Sequence, residues 1–344
     1  MKTTTKIILI VAAVLVVAGC AIGYYAYNMV YAPNVSTHGA KYLYIRNGAE
    51  FGQVKDSLYK NFTVDDKAAF ERVAELKHYT ENVKPGRYRI KDGMSNNELI
   101  NMLRSGAQEA VKLSFNNIRT IPQFCARVSH YIDIDSASLN DILADDARMS
   151  KYGFDSRTCM AMFIPDTYQI YWNTTADGFI EKMYKNYKEF WNDSRMGKAK
   201  ALKMTPLQVS TLASIVQCEQ SVHREEQPTI AGLYLNRLRT GMALQSDPTV
   251  VYAIGDFTIR RVTGAMLEVD SPYNTYKHTG LPPSPITFAE KTALDAVLDH
   301  DKNDYLYMCA KADFSGRHSF AKTYAQHLQN AKEYRKALDK RGIK

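Results

Sequence analysis

Val209, Leu212, Ala213 and Val216 share one stripe of a helix, and the next position on that stripe is Glu219. The helix opens at Thr205-Pro206-Leu207-Gln208, where Thr205 caps, Pro206 occupies the first turn and Gln208 closes a capping box, and it runs to about Gln220. An acid therefore falls where a leucine would be expected. A carboxyl on such a face loses hydration, and desolvation favours its protonated form, which a general acid requires. The same spacing also fits a structural ion pair with Arg224 or Arg237 between helices.

Polar groups gather downstream of that carboxyl. Gln227-Pro228 restarts the chain as a helix through Ile230, Leu233, Tyr234 and Leu238, closed by Gly241, whose Asn236 and Arg237 can face the same cleft. Leu244-Gln245-Ser246-Asp247-Pro248 reads as a capped loop before a short helix ended by Gly255, presenting Gln245, Ser246 and Asp247 at the helix start. From Asp270 to Pro285 the chain is too rich in proline for a helix or a central strand and must be a long rigid loop. It carries Tyr273, Asn274, Thr275 and Tyr276, groups suited to stacking on and hydrogen bonding to sugars; the alternative is a structural loop held by its prolines. The sequence has no HExxH, no glycine-rich phosphate loop and no lysine context for pyridoxal phosphate, so no metal or organic cofactor is expected.

These groups need a scaffold and a location. With 344 residues and 45% hydrophobic content, the chain can form two or three domains. The net charge of +8 suits an anionic partner, but without long like-charge runs or a nucleic-acid motif it reads as a dispersed surface, and no nucleic-acid partner is expected. Cysteines at 20, 125, 159, 218 and 309 form no CxxC pair. Ile7 to Tyr27 is free of charge and long enough for one membrane span, with Lys2 and Lys6 before it and Tyr24, Tyr25 and Tyr27 at its far end. That predicts a cytoplasmic tail over 1–6, a transmembrane helix over 7–29 and everything else outside. Two readings compete: a cleaved signal peptide, whose apolar core is usually only about 7 to 15 residues, and a lipoprotein signal ending at Cys20, which leaves the protein equally membrane-attached.

Beyond a connector from Ala32 to His38, the pattern predicts a strand over Tyr42–Arg46 and a helix over Glu50–Tyr59. A turn at Pro85-Gly86 follows, then a strand over Arg87–Ile90 and a helix opened by the capping box Ser95 to Glu98 and stopped by Gly106. This order over 40–108 resembles a LysM-like module, a fold associated with N-acetylglucosamine glycans; a small packing domain without a ligand is the alternative. Residues 109–205 read as an intermediate α/β region packing on a catalytic domain over 206–344, with Pro165 interrupting regular structure and Asp166 capping the next turn. The fold class is α+β: the membrane helix, the LysM-like module, then a mixed, largely helical catalytic domain with long loops.

ASIVQCE (213–219), YLNRLRTGMALQSDPTVVYA (234–253), SPYNTYKHTGLPPSPI (271–286) and GRHSF (316–320) together resemble the MltG/YceG family of endolytic murein transglycosylases. FIPDTYQIY (163–171) and VKPGRYRI (83–90) are similar to that family too, in matching order. The resemblance implies a single-pass protein of the cell's inner membrane whose extracytoplasmic region cuts nascent peptidoglycan strands between N-acetylmuramic acid and N-acetylglucosamine, leaving 1,6-anhydro ends and working among wall-synthesis proteins. It places the catalytic glutamate on Glu219 and adds His318 to the substrate-binding candidates Gln245, Ser246, Asp247, Asn274, Thr275, Tyr276, Asn236 and Arg237. Two departures stand out: Gln217 where many members carry a first acid, and Asn116-Asn117 where relatives commonly show Glu-Gly. The rival readings are a hydrolase of the same bond, with Asp247 or Asp270 as a second carboxyl, and a non-enzymatic glycan-binding scaffold.

Overall fold

A computed structural model of the chain describes residues 3–39 and 41–342. Lys2, expected to flank the membrane helix, and the domain ends expected at residues 1, 40 and 344 lie outside the described residues. The fold is α+β, in two compact units: residues 1–112 with 131–133 and 169–175, and the remainder from 113 onward.

The first unit begins with α1, Thr3–Tyr31, longer than the charge-free run suggested and exposed along its apolar length. Among the described residues it is the one helix long and apolar enough to cross a membrane. Its 29 residues reach about 43 Å at ~1.5 Å each, more than a hydrocarbon layer of about 30 Å. Pro33 ends it, because the residue before a proline is driven out of helical geometry. Its last turn belongs to the unit's core: Met29 and Val30 pack there, and Asn96 Nδ2 donates to the Met29 carbonyl at 2.9 Å.

The expected connector at 32–38 is instead a strand, β1 (Pro33–Ser36). With β2 (Tyr42–Ile45), α2 (Phe51–Asn61), β3 (Thr63–Val64), α3 (Lys67–Leu76), β4 (Gly86–Arg89), β5 (Met94–Ser95) and α4 (Asn96–Ser105) it makes two small antiparallel sheets, β3-β1-β5 and β2-β4. β1 escapes pattern reading because a buried amide anchors it. Asn34 accepts from Asp66 N at 2.6 Å and donates to Asn96 Oδ1 at 2.7 Å. α3, also unanticipated, is capped by Asp66, which accepts from Ala69 N, and buries Phe70, Val73 and Ala74. The expected box at the start of α4 forms, Ser95 and Glu98 bonding reciprocally, and Gly106 closes the helix at φ 73°.

The second unit holds α5 (Ile121–Tyr131), α6 (Ser136–Ala144), α7 (Asp146–Ser150), α8 (Ala176–Phe190), α9 (Asp193–Ala201), α10 (Pro206–Glu219), α11 (Gln227–Arg239), α12 (Asp247–Ile254), α13 (Lys291–Leu298) and α14 (Tyr324–Lys340). β8 (Tyr307–Ala310) pairs with β9 (His318–Ala321) within this unit, whereas the paired strands β6 (Val111–Phe115) and β7 (Asp166–Ile170) each begin in one unit and end in the other. Asp166 thus opens a strand instead of capping a turn, since Pro165 breaks the chain just before an alternating segment that buries Tyr168 and Ile170. One side of the core is aromatic: Phe124 stacks on Phe288 at 5.0 Å between ring centres and meets Phe115, Phe163 and Phe179.

α10 runs through the centre, packed by α9, α11, α12 and α13. Its stripe Val209, Leu212, Ala213 and Val216 is buried as expected, but so are Ser210, Thr211, Ser214 and Gln217, so the helix has no wet face along this stretch. The buried polar groups are satisfied by backbone. Ser214 Oγ donates to Thr211 O at 2.7 Å and accepts from Ile286 N at 3.0 Å. Gln217 donates to Phe288 O at 3.3 Å and accepts from Glu290 N at 2.7 Å. They hold the loop between residues 284 and 290 against the helix.

On α11, Gly232 lies beneath the segment leading to β8. A Cβ there would meet the Asp301 carbonyl and Asn303 Nδ2, the latter at 2.5 Å. Alanine is the better helix former by about 1 kcal/mol, but overpacking against backbone costs about 1 to 3 kcal/mol, and the steric term should win. Gly232→Ala should lower the urea midpoint, whereas Gly197→Ala on α9, where nothing lies within 4 Å of the new Cβ, should leave it unchanged or raise it.

Candidate active site

Glu219 is the last residue of α10, and three elements converge on its side chain. α11 brings Tyr234, 1% exposed, whose hydroxyl donates to Glu219 Oε1 at 2.7 Å. The start of α12 brings Ser246, also 1% exposed, whose hydroxyl makes a very short bond to the same Oε1. Among the described residues no group bonds Oε2. Glu219 lines a cavity of about 290 Å³ together with Arg237, Gln245, Asp247, Tyr276, Met308 and His318.

Dense protein around the carboxyl raises its pKa above the ordinary carboxylate range. The Ser246 and Tyr234 hydroxyls pull the other way, nearby Asp247 adds to the rise, and burial prevails. The negative end of α10 acts in the same direction as burial. Tyr234 in turn is held strongly neutral by burial and by the facing Glu219, so its proton stays available for donation.

The support around this carboxyl is built from residues expected to touch substrate. Ser246 occupies the N-cap position of α12 yet makes no cap bond. Its backbone N–H is bound by Thr275 Oγ1 at 3.0 Å, Thr275 Oγ1 meets Thr249 Oγ1 at 2.8 Å, and Gln245 N donates to Thr275 O at 3.0 Å. Thr275 is therefore a fastener. Asn274 is wholly buried: its amide donates to Leu267 O and Val269 O at 2.8 and 2.9 Å, and its oxygen accepts from Tyr276 N at 3.0 Å. It does not reach the cavity; the hydrogen-bonding capacity read as sugar recognition folds the loop on itself. Tyr273 likewise packs on Tyr252 and bonds Ser284 Oγ at 2.6 Å, leaving Tyr276 as the loop's aromatic at the cavity, its hydroxyl donating to Asp247 Oδ1 at 2.6 Å.

The two α11 candidates part company. Arg237 lines the cavity, but its guanidinium donates to the Leu306, Ala243 and Leu244 carbonyls and to Gln245 Oε1 at 2.6 to 3.3 Å, pinning α11 to the segments before α12 and β8. Burial lowers its pKa. Asn236 faces away and donates to Asn303 O and Tyr305 O at 2.8 and 3.1 Å. Neither Arg237 nor Arg224, which pairs with Glu290 at 2.8 Å, forms the ion pair with Glu219 that spacing left open.

His318, at the start of β9, lines the cavity, with Nδ1 bonded to Glu226 Oε2 at 3.0 Å. Burial would raise the Glu226 carboxyl, but bonds from His318 N–H, the His318 ring and Gln220 hold it below its ordinary value. Sequence reasoning missed Glu226 as the fixer of His318, and took Tyr234 only for an apolar position on α11. Nothing local marks either one, because each partner lies on another element. Asp270 is exposed in the loop and does not line this cavity. Among the described residues no three His, Cys, Asp or Glu side chains group as a metal site.

The raised carboxyl has a stability consequence. The folded state holds the Glu219 proton more tightly than the unfolded chain, so its contribution is fully present below the unfolded value of about 4.3 and is lost as pH rises through the elevated folded value. Glu219→Gln should therefore melt above the parent at neutral pH, with the gap closing toward pH 4 in calorimetry. A gap constant with pH would show the carboxyl ionising as freely as in the unfolded chain.

Comparison with known proteins places this geometry in context. The chain is 29% identical over 306 residues to an endolytic murein transglycosylase of Bacillus subtilis, covering 84% of this chain and 83% of that protein. It is 24% identical over 350 residues to one of Streptococcus pneumoniae serotype 2, covering 91% of this chain but only 62% of the longer relative. The crystal structure of a YceG-like protein from Listeria monocytogenes superposes with a TM-score of 0.55 at 26% identity, over 84% of this chain and 97% of that one. Residues 43–333 match the YceG-like family as a whole, and with that match spanning most of its length, the chain belongs to the YceG-like family.

Proposed function

We propose that the chain is an endolytic lytic transglycosylase of peptidoglycan, cutting the β-1,4 bond between N-acetylmuramic acid and N-acetylglucosamine with Glu219 as its one catalytic carboxyl. The observation that carries this is the asymmetry of that carboxyl, which lines the cavity: Oε1 receives both hydroxyls and, among the described residues, Oε2 receives none. A proton on Oε2 is held by no protein acceptor and is free to be donated. Its donation to the glycosidic oxygen breaks the C1–O bond and leaves the muramic ring with oxocarbenium character. The carboxylate so formed is stabilised where it stands by Tyr234 and Ser246, which need not reorganise. It then takes the proton from the sugar's own 6-hydroxyl as that oxygen closes on C1, giving a 1,6-anhydro end and restoring the acid without water.

A second reading, hydrolysis, rests on Asp247, which shares the cavity with Glu219 and could direct water as the second carboxylate a glycosidase uses. The products separate the two. Mass spectrometry of peptidoglycan digested by the full chain should show anhydro-muramyl ends, absent with Glu219→Gln; ends that have gained water would assign hydrolysis instead. Tyr234→Phe and Ser246→Ala should each lower kcat by about 10² to 10³, as for removal of a preorganised donor.

The pH profile carries an independent sign. Activity needs protonated Glu219, so it falls as pH rises through the elevated pKa. The Tyr234 hydroxyl holds that pKa down, so Tyr234→Phe should move the alkaline limb to higher pH while lowering the plateau. An unmoved limb would assign it to another group.

In this reading α1 is a single-pass anchor in the cell's inner membrane, and the remainder lies outside the cytoplasm, where nascent strands and wall-synthesis proteins are found. The segment 40–108 serves as a LysM-like glycan contact, 109–205 packs on the catalytic region, and 206–344 performs the chemistry. Tyr276, Gln245, Asp247 and His318 contact the saccharide, while Ser246, Thr275, Asn274, Arg237 and Asn236 set the geometry.

A further inference from the structure

Beside the Glu219 cavity lies a second one of about 250 Å³, and Asp247 lines both. Arg119, Arg260 and Arg261 converge on it, with Phe257 and Tyr252 as aromatic walls and Cys218, the residue before Glu219, at its floor. Three other guanidiniums of this unit have an acid partner: Arg195 with Asp295 at 2.8 Å, Arg224 with Glu290 at 2.8 Å and Arg317 with Glu225 at 2.5 Å. Among the described residues, Arg119, Arg260 and Arg261 make no ion pair. Arg119 is steadied only over the Phe257 ring, at 5.4 Å. The single acid of the cavity, Asp247, already accepts from Tyr276.

Three exposed guanidiniums without an ion pair around one concavity make it locally positive, which favours an entering anion. Guanidinium suits carboxylate in particular, because its planar fork bonds both oxygens at once. Building on the proposed activity, we infer that this arm is a subsite for the carboxylates of the peptide stems carried by muramic acid, so that the enzyme reads stem-bearing glycan and discriminates against bare strands. The placement fits the chemistry. The stem leaves from the 3-oxygen of the same muramic ring whose C1–O bond is cut, and the arm shares Asp247 with the cavity that holds the cutting carboxyl. Neutral sugar hydroxyls have no use for three positive charges.

The test compares the detergent-solubilised full chain with an Arg119→Ala/Arg260→Ala/Arg261→Ala variant on uncrosslinked strands bearing stems and on the same strands stripped by an amidase. All three side chains are exposed, so the variant should melt with the parent. The parent should show kcat/KM about tenfold or more higher on stemmed strands, as expected of charge-assisted hydrogen bonds. In the variant that ratio should fall to about twofold or less, and amidating the stem carboxylates should produce the same fall with the parent enzyme. A ratio near unity for the parent, or one equal in parent and variant, overturns the inference while leaving the catalytic reading intact. Arginine-dependent inhibition of bare-strand cleavage by a glycerol phosphate polymer, without stem preference, would reassign the arm to phosphate and equally overturn it. Were neither strand cut by the parent, with Glu219→Gln indistinguishable, the catalytic reading would fail and this subsite with it.

Discussion

Two hydroxyls meeting one oxygen of a desolvated carboxyl define the site, and much of the second unit exists to keep them there. A carboxyl in such surroundings favours its proton, and bonds to the charged form would ordinarily reverse that preference. Concentrating both bonds on Oε1 resolves the conflict. The neutral acid uses Oε1 as a carbonyl acceptor and carries its proton on Oε2; the anion finds the same donors already in place. One geometry therefore suits both halves of the proton cycle proposed for Glu219.

The surroundings follow from that requirement. Tyr234 must come from α11 at a fixed height, and α11 is tied by Asn236 and Arg237 to the segment entering β8, with Gly232 allowing that segment to lie close. Ser246 must come from the start of α12, and the proline-rich loop secures it through Thr275. α10 is buried around most of its circumference because all these elements grip it. Gln217 illustrates the consequence: at a position where both a donor and an acceptor are needed to hold 288–290, an amide satisfies both, whereas a carboxylate could not donate to Phe288 O. The helix carries an acid where the Tyr234 and Ser246 hydroxyls converge and a neutral group where backbone must be held.

What the sequence made legible was local. The capping boxes at Thr205 and Ser95 depend on residues three apart, and both form as read. Glu219 could be singled out because helical periodicity alone carries it onto the stripe. Polar residues with distant partners could not be sorted. Asn274 and Asn236 look like recognition groups from their type and neighbourhood, yet their amides close loops onto backbone far along the chain or folded back upon itself. Tyr234 has the opposite history, an aromatic on an apolar stripe whose hydroxyl meets an acid fifteen residues earlier. Periodicity also underestimated how deeply α10 lies, since Ser, Thr and Gln read as a wet face until their backbone partners are seen.

Ser246 shows what the site demands of the fold. A serine at an N-cap normally binds the first free N–H groups of its helix, and that bond contributes about 1 kcal/mol. Here the hydroxyl turns to Glu219 instead, leaving α12 without a side-chain cap, and Gln245 immediately before it sits at φ 53°, a conformation disfavoured for any residue with a Cβ. Both concessions work against local stability and both serve one end: the turn at 245–246 aims a hydroxyl at a carboxyl on another helix. Strain and a forfeited cap at adjacent residues persist only where the surrounding structure over-determines them, and the Thr275, Thr249 and Arg237 bonds provide that restraint. The fold yields local stability at the point where the Ser246 hydroxyl meets Glu219, and recovers it through the neighbouring Thr275, Thr249 and Arg237 bonds.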